Sequence, residues 1–320
     1  MSSSPLNQHG PHELAPPHVD EVADGVFAYV QPDGTWWINN TGFIVGRSRV
    51  TAIDACATEA RTRALRDAIM RTCDLPVRTL VNTHHHGDHT HGNDLFDEAT
   101  IVAHERCRDE ILAEGKPGTS ALIRSGAWNP VQWGDLNVAA PFLTYKDGVT
   151  IWVDDLRCEV RHVGTPAHST NDSIVYLPER RVLFAGDLLF NGGTPFLLAG
   201  SVTGAIEAVS ALKSLDVETI VPGHGPVCGP SVIDDVLGYL NLVLKQAKAG
   251  IASGVPPLEA ARNTDLGAYA QLTDTERLVG NLHRAYAELE GVPRGGAVDV
   301  HAALADMITY NGGVPLTCLA

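Results

Sequence analysis

Positive charge is scarce in this chain: its 320 residues carry 23 Lys and Arg against 38 Asp and Glu, a formal net charge of -15. A surface this acidic repels polyanions, so nucleic acid and anionic membranes are poor partners. No uninterrupted apolar run reaches the ~18 residues that a bilayer-spanning helix requires. Met1 to Val19 has neither a basic start nor a continuous apolar segment, so it lacks the parts of a signal peptide. Rich in Ser, Pro and His, residues 1–19 read as a disordered tail, with His9, His12 and His18 idle within it. The six cysteines (Cys56, Cys73, Cys107, Cys158, Cys228 and Cys318) form no C-x-x-C pair. Single scattered thiols in a chain of this length indicate reduced core residues and a cytoplasmic setting. The remainder, 44% hydrophobic and 19% charged, describes a globular protein with room for one large domain or two small ones.

What the chain does have is Thr83-His84-His85-His86-Gly87-Asp88-His89-Thr90-His91-Gly92-Asn93, five imidazoles and a carboxylate within eleven residues. It follows the apolar run Val77 to Val81 directly. His84 and His86 are two apart, so on an extended strand end they project to one side. Gly87 allows a sharp turn that brings Asp88 and His89 to the same point. Neutral imidazoles with a carboxylate suit a divalent transition metal such as zinc. A helical site would space its histidines four apart, so this is a strand-to-loop metal site.

In chain order, Val22 to Val30 and Trp36 to Val45 read as strands joined by a turn at Pro32-Asp33-Gly34. Of the adjacent Trp36 and Trp37, only one enters the core easily from a strand, and the other lines a cleft or packs under the tail. Arg49 to Ile53 is a strand ending at Asp54, and Ala57 to Arg71 an amphipathic helix. Ile101 to Ala103 is a short strand and Glu105 to Glu114 a helix. Residues 115–148, with Trp128 and Trp133, lack periodicity and read as a substrate-facing lid. Strands then end at His168, at Gly186-Asp187 and at His224, so each candidate ligand follows an apolar strand, where α/β architectures place their chemistry. From Ser231 onward the pattern turns helical, at Val232 to Ala249, Thr273 to Glu290 and Val298 to Tyr310. Residues 20–230 thus form a main domain, and 231–320 a helical appendage that packs on it or makes a homodimer surface.

The ordered set His84-x-His86-x-Asp88-His89, His168, Asp187 and His224 resembles the metallo-β-lactamase fold superfamily over about Val22 to Pro226. The resemblance implies an α/β protein, an αββα sandwich of two mixed sheets with outer helices. It implies a first metal held by His84, His86 and His168, a second held by Asp88, His89 and His224, and Asp187 bridging them. Asp54 matches the family's early aspartate and would steady the ligand loop through hydrogen bonds. An aspartate at 187 is similar to the glyoxalase-II-like hydrolases and lactonases, whereas true β-lactamases of this fold carry Cys or Ser there. The homoserine-lactonase branch has a tyrosine shortly after this aspartate, and Leu188 to Thr194 contains none. The stretch Glu276 to Tyr286 is loosely similar to actinomycete members that act as cyclase-thioesterases in polyketide assembly.

The implied function is a hydrolase with two divalent ions, zinc first, with iron or manganese accepted by the same ligands. A hydroxide bridging them would attack the carbonyl of a small-molecule ester, thioester or lactone. Asp88 would also relay a proton to the leaving group. Trp36, Trp37, Trp128 and Trp133 would line an apolar acyl pocket. Alternatives are a metal-dependent polyketide cyclase and a mononuclear iron persulfide dioxygenase. A non-catalytic scaffold would have little physical reason to keep seven such polar side chains.

Overall fold

The computed structural model describes residues 14–320, and most of the N-terminal tail lies outside the described residues. The first sheet has seven strands in sequential order. They are β1 (His18–Ala23), β2 (Val26–Val30), β3 (Thr41–Val45), β4 (Val50–Ile53), β5 (Val77–Val81), β6 (Thr100–His104) and β7 (Leu143–Tyr145). Pairing is antiparallel from β1 to β4 and parallel from β4 to β7. The second sheet holds β8 (Gly148–Val153), β9 (Leu156–His162), β10 (Ser173–Leu177), β11 (Val182–Phe190) and β12 (Thr219–His224). Its order is β12-β11-β10-β9-β8, antiparallel except for the β11–β12 pair. The helices are α1 (Glu59–Thr72), α2 (Gly87–Thr90), α3 (Glu105–Glu114), α4 (Ala121–Arg124), α5 (Val202–Leu212), α6 (Ser231–Ala252), α7 (Pro257–Arg262), α8 (Arg277–Leu289) and α9 (Val300–Tyr310).

Alternation along the strands gives each sheet two apolar faces, and these generate the layers. Val26, Val30, Ile44 and Val81 from the first sheet meet Val160, Val175, Leu177 and Phe184 from the second. The outer face of the first sheet, through Phe43 and Leu80, packs on Leu65, Ala68 and Ile69 of α1. The outer face of the second, through Leu183 and Ile220, packs on α5, α6 and α8 in one continuous core. The architecture is therefore α/β, two mixed sheets face to face with helices outside, and the C-terminal helices share a core with β11 and β12.

Several expectations shift. His18 and Val19 begin β1, so order starts inside the stretch read as a tail. Trp36 and Trp37 sit in a loop rather than on a strand, Trp37 with φ 65°. β7 lies within the segment read as a lid, because Leu143 to Tyr145 pair with β6. α8 starts at Arg277 rather than Thr273, since Asp274 takes a left-handed backbone (φ 55°) that a helix cannot continue through. Asp187 lies inside β11 rather than after it, where the register with β12 shifts on both sides of Gly186. No described helix is long and apolar enough to cross a membrane.

Candidate metal centre

β5 ends at Val81, and the next residues turn across the strand ends of both sheets. Ser173 N–H donates to the Thr83 carbonyl (2.8 Å), fastening this loop to the second sheet. Gly87 opens the short helix α2 rather than a positive-φ turn. Its glycine is needed for proximity, since a Cβ there would strike the His91 ring. The single turn of α2 carries Asp88 and His89 back over the strand end. From the second sheet come His168 in the loop after β9, Asp187 on β11 and His224 at the last residue of β12. Gly223 lets β12 lie against Asp187, because a Cβ at 223 would collide with that carboxylate.

The seven side chains converge in two groups that share Asp187. His84, His86, His168 and Asp187 form one and Asp88, His89, Asp187 and His224 the other, each with its donor atoms within 4.8 Å of one another. His86 Nδ1 lies 2.7 Å from His168 Nε2. Asp187 Oδ1 lies 3.0 Å from His89 Nε2, and Oδ2 lies 3.2 Å from His224 Nε2 and 3.3 Å from His168 Nε2. His224 Nε2 is also 3.3 Å from Asp88 Oδ2.

The outward nitrogens set the tautomers. His89 Nδ1 meets Asp54 Oδ2 at 2.8 Å, His168 Nδ1 meets the Phe196 carbonyl at 2.6 Å, and His224 Nδ1 meets the Gly34 carbonyl at 3.1 Å. The Thr83 hydroxyl donates to Asp54 Oδ2 (2.7 Å) and so can only accept from His84 Nδ1 (3.1 Å). Each of these rings therefore donates Nδ1–H outward and turns Nε2 inward, the orientation a metal-ligating histidine requires. Inside, His84 Nε2 is buried without a hydrogen-bond partner, and His89 Nε2 and Asp187 Oδ1 have no partner but each other, 3.0 Å apart. Orphaned acceptors facing one point, and two imidazole nitrogens 2.7 Å apart, are costly unless a cation lies among them. The residues present therefore fit divalent metal binding, with N and O donors suited to zinc, iron or manganese.

Electrostatics agree. Burial, reinforced by neighbouring imidazoles, drives His84 and His86 well below the usual histidine range, which keeps them neutral. Burial also opposes charge on His89 and His224, but the surrounding carboxylates outweigh it. They lift His89 well above its ordinary value and His224 to about 9. Burial likewise disfavours charge on Asp88 and Asp187, yet the facing imidazoles hold both carboxyls below the ordinary range. The same carboxylate field would stabilise a divalent cation.

Asp54 is the support beneath the cluster. Its backbone is left-handed (φ 61°), a conformation that costs a non-glycine residue ~1–3 kcal/mol and persists where surroundings enforce it. Its Oδ1 accepts from Thr83 N–H (2.7 Å), while Oδ2 takes both the Thr83 hydroxyl and His89. Asn40 holds the His224 loop through the carbonyls of Pro222 (3.0 Å) and Gly225 (2.6 Å). His85 and His91 stay outside the cluster, His85 against Asn171 and His91 beneath Trp37.

The cluster opens into a cavity of about 220 Å³ whose far walls are Trp36, Trp37, Trp128, Phe190, Phe196 and Leu198. Trp133 is not on this wall. Trp37, turned by its positive φ, stacks over His91, and Trp133 packs edge-on behind both at 5.0 and 5.6 Å. Glu114, Arg277 and Val300 also face the cavity. None of the three is marked by local spacing, because helix ends and distant helices bring them in. The cysteines lie elsewhere. All are free, and burial raises the Cys56, Cys158 and Cys318 thiols to about 12 and Cys228 to about 11, which suppresses thiolate chemistry.

Comparison with known proteins agrees with this geometry. A hydroxyacylglutathione hydrolase from Synechococcus sp. is 28% identical over 164 residues, 48% of this chain and 52% of its own length. A linear primary-alkylsulfatase from Pseudomonas sp. is 25% identical over 219 residues, 58% of this chain and 41% of its own. The chain spans about half the length of the curated relatives it matches. Among solved structures, a stereoselective inverting sec-alkylsulfatase from Pseudomonas sp. aligns with a TM-score of 0.66 at 17% identity, over 87% of this chain and 51% of that one. A metallo-beta-lactamase from Pontibacter korlensis aligns with a TM-score of 0.58 at 19% identity, over 71% of this chain and 99% of that one. The fold is shared in both cases. The family model described as the Metallo-beta-lactamase superfamily matches residues 34–224, the span that begins just before Trp36 and ends on His224, and the chain belongs to that superfamily.

Proposed function

We propose that this chain is a dinuclear metal-dependent hydrolase of a small-molecule ester, thioester or lactone whose acyl part is apolar or aromatic. The observation that supports it is the pair of four-residue clusters sharing Asp187, opening on one aromatic-walled cavity. His84, His86 and His168 would hold one ion, Asp88, His89 and His224 the other, and Asp187 both. Two divalent ions, zinc in the first instance, would when bound lower the pKa of a coordinated water from ~16 to about 7 and polarise the scissile carbonyl.

The remaining work falls to this chain's own side chains. Asp54 holds His89 and the His84 loop in place through three hydrogen bonds. Asp88, facing the cavity beside His224, is placed to take the proton released by the attacking water and pass it to the leaving oxygen or sulfur. Trp36, Trp37 and Trp128 bind and orient the acyl group and keep bulk water from it. The balance is that of hydrolysis, with water added across the acyl bond to give an acid and an alcohol or thiol. An aspartate at 187 rather than Cys or Ser turns the reading away from β-lactam hydrolysis. Six free thiols and a net charge of -15 support a cytoplasmic enzyme acting on a diffusible substrate rather than on nucleic acid.

The test is metal analysis of the purified protein, paired with a substrate screen with and without chelator. The screen covers aryl esters, acyl thioesters, lactones, a persulfide and an alkyl sulfate. Close to two ions per chain and chelator-sensitive turnover of an acyl substrate are expected. Turnover of the alkyl sulfate alone, or oxygen uptake with the persulfide and one iron per chain, would overturn the reading.

A further inference from the structure

α8 lies outside residues 34–224, yet one buried face of it is polar. Arg277, Asn281 and Arg284 stand four and three residues apart, so they form a single stripe down the helix. Their exposures are 1%, 0% and 1%, which is unusual for two arginines in a core. A helix that only covered a sheet would carry leucine there, because burying a guanidinium is unfavourable unless it is well partnered. Besides Tyr239, Gly296 and Asp274, the stripe's partners all lie on one loop. Arg277 donates to the Thr194 carbonyl (2.9 Å), and Asn281 donates to Pro195 O (2.8 Å) and accepts from Leu197 N–H (2.8 Å). Arg284 donates to Leu198 O through Nε (3.0 Å) and Nη2 (2.6 Å).

Two metal-cluster histidines rest on what this stripe holds. The Phe196 carbonyl, between the atoms fixed by Asn281, takes the His168 Nδ1–H bond. His224 is reached twice. The Arg277 guanidinium lies 5.4 Å from the Phe190 ring centre, and Phe190 lies parallel to the His224 ring at 4.8 Å. Arg277 also pairs with Asp274 (2.8 Å), whose two carboxylate oxygens take the Thr35 hydroxyl at 2.7 and 2.8 Å. Thr35 follows Gly34, whose carbonyl takes His224 Nδ1–H.

We infer that α8 carries positioning residues for the metal centre: Asn281 orients His168, and Arg277 with Asp274 orients His224. The C-terminal helical layer is thereby part of the metal centre and not a separate appendage. The inference rests on the two-metal reading above.

The test is stepwise metal affinity, measured by competition against a chromophoric chelator and by the visible spectrum of the cobalt-loaded protein. Arg277→Met should weaken the ion held with His224 by ~10–100-fold and leave the other in place, and Arg277→Lys should recover part of the loss. Asn281→Leu should weaken the ion held with His168 instead. Leu282→Ala, in the same helix and buried in the apolar core, should lower Tm without changing either affinity. Equal loss at both sites in all three variants, tracking Tm, would overturn the inference, as would unchanged affinities in Arg277→Met and Asn281→Leu. A wild-type protein that takes one ion sinks the two-metal reading instead, and the inference then stands or falls on whether Asn281→Leu weakens that single site.

Discussion

Asp54 Oδ2 lies 2.8 Å from His89 Nδ1 and 2.7 Å from the hydroxyl of Thr83, so one carboxylate oxygen serves both halves of the early histidine motif. Asp54→Asn leaves one acceptor oxygen where there were two, so its NH2 must face either Thr83 N–H or the Thr83 hydroxyl and His89 Nδ1–H, donor against donor. The expected outcome is a ~10–100-fold loss in metal affinity, the usual effect of removing a group that orients a ligand. Equilibrium dialysis with zinc checks it, with the circular dichroism spectrum confirming that the fold persists.

Asp187→Ala removes the one side chain common to both ligand groups. Metal content should fall at both positions and turnover with it, by two orders of magnitude or more. A variant that keeps two ions and wild-type turnover would contradict a shared ligand.

Trp128 faces the cavity and meets Trp36 and Trp37 edge-on, at 5.3 and 5.5 Å. Trp128→Ala should raise KM for aryl substrates by about tenfold, corresponding to ~1.5 kcal/mol of lost apolar burial. Metal content should not change, since the ring contacts of Trp128 are to Trp36 and Trp37. Steady-state kinetics with an aryl and a short alkyl ester separates the two effects.

Glu276 accepts the Trp36 indole N–H at 2.6 Å, and burial, with Asp274 adding to it, pushes its carboxyl up from 4.5 to about 7. The folded state therefore binds this proton more tightly than the unfolded chain. The group's contribution to stability is complete below pH ~4.5 and is lost as pH rises towards about 7, by up to ~3 kcal/mol at 1.4 kcal/mol per unit. Glu276→Gln keeps the acceptor and cannot ionise, so it should flatten the loss of Tm across that range.

The candidate ligand set was legible in the sequence because metal chemistry restricts residue type and strand ends restrict place. β5 and α3 have the bounds that periodicity and turn residues predict. The role of Gly87 was not readable, since a close approach to His91 leaves no local sign. Nor was the place of Asp187 inside β11, because a register shift depends on the partner strand. Trp133 sits one layer behind Trp37 for a similar reason, as the φ of a single loop residue decides which ring faces the cavity. The polar stripe on α8 was visible as residues but not as a function, because its partners lie some 83 to 86 positions earlier in the chain.

Each of the two candidate ligand groups draws on both layers: His84, His86, Asp88 and His89 follow a strand of the first sheet, and His168, Asp187 and His224 belong to the second. Ions seated there would act as rivets through the sandwich. Prying the layers apart and emptying the centre would then be one and the same event, and the cell's free-metal level would set the lifetime of the folded chain as well as its turnover.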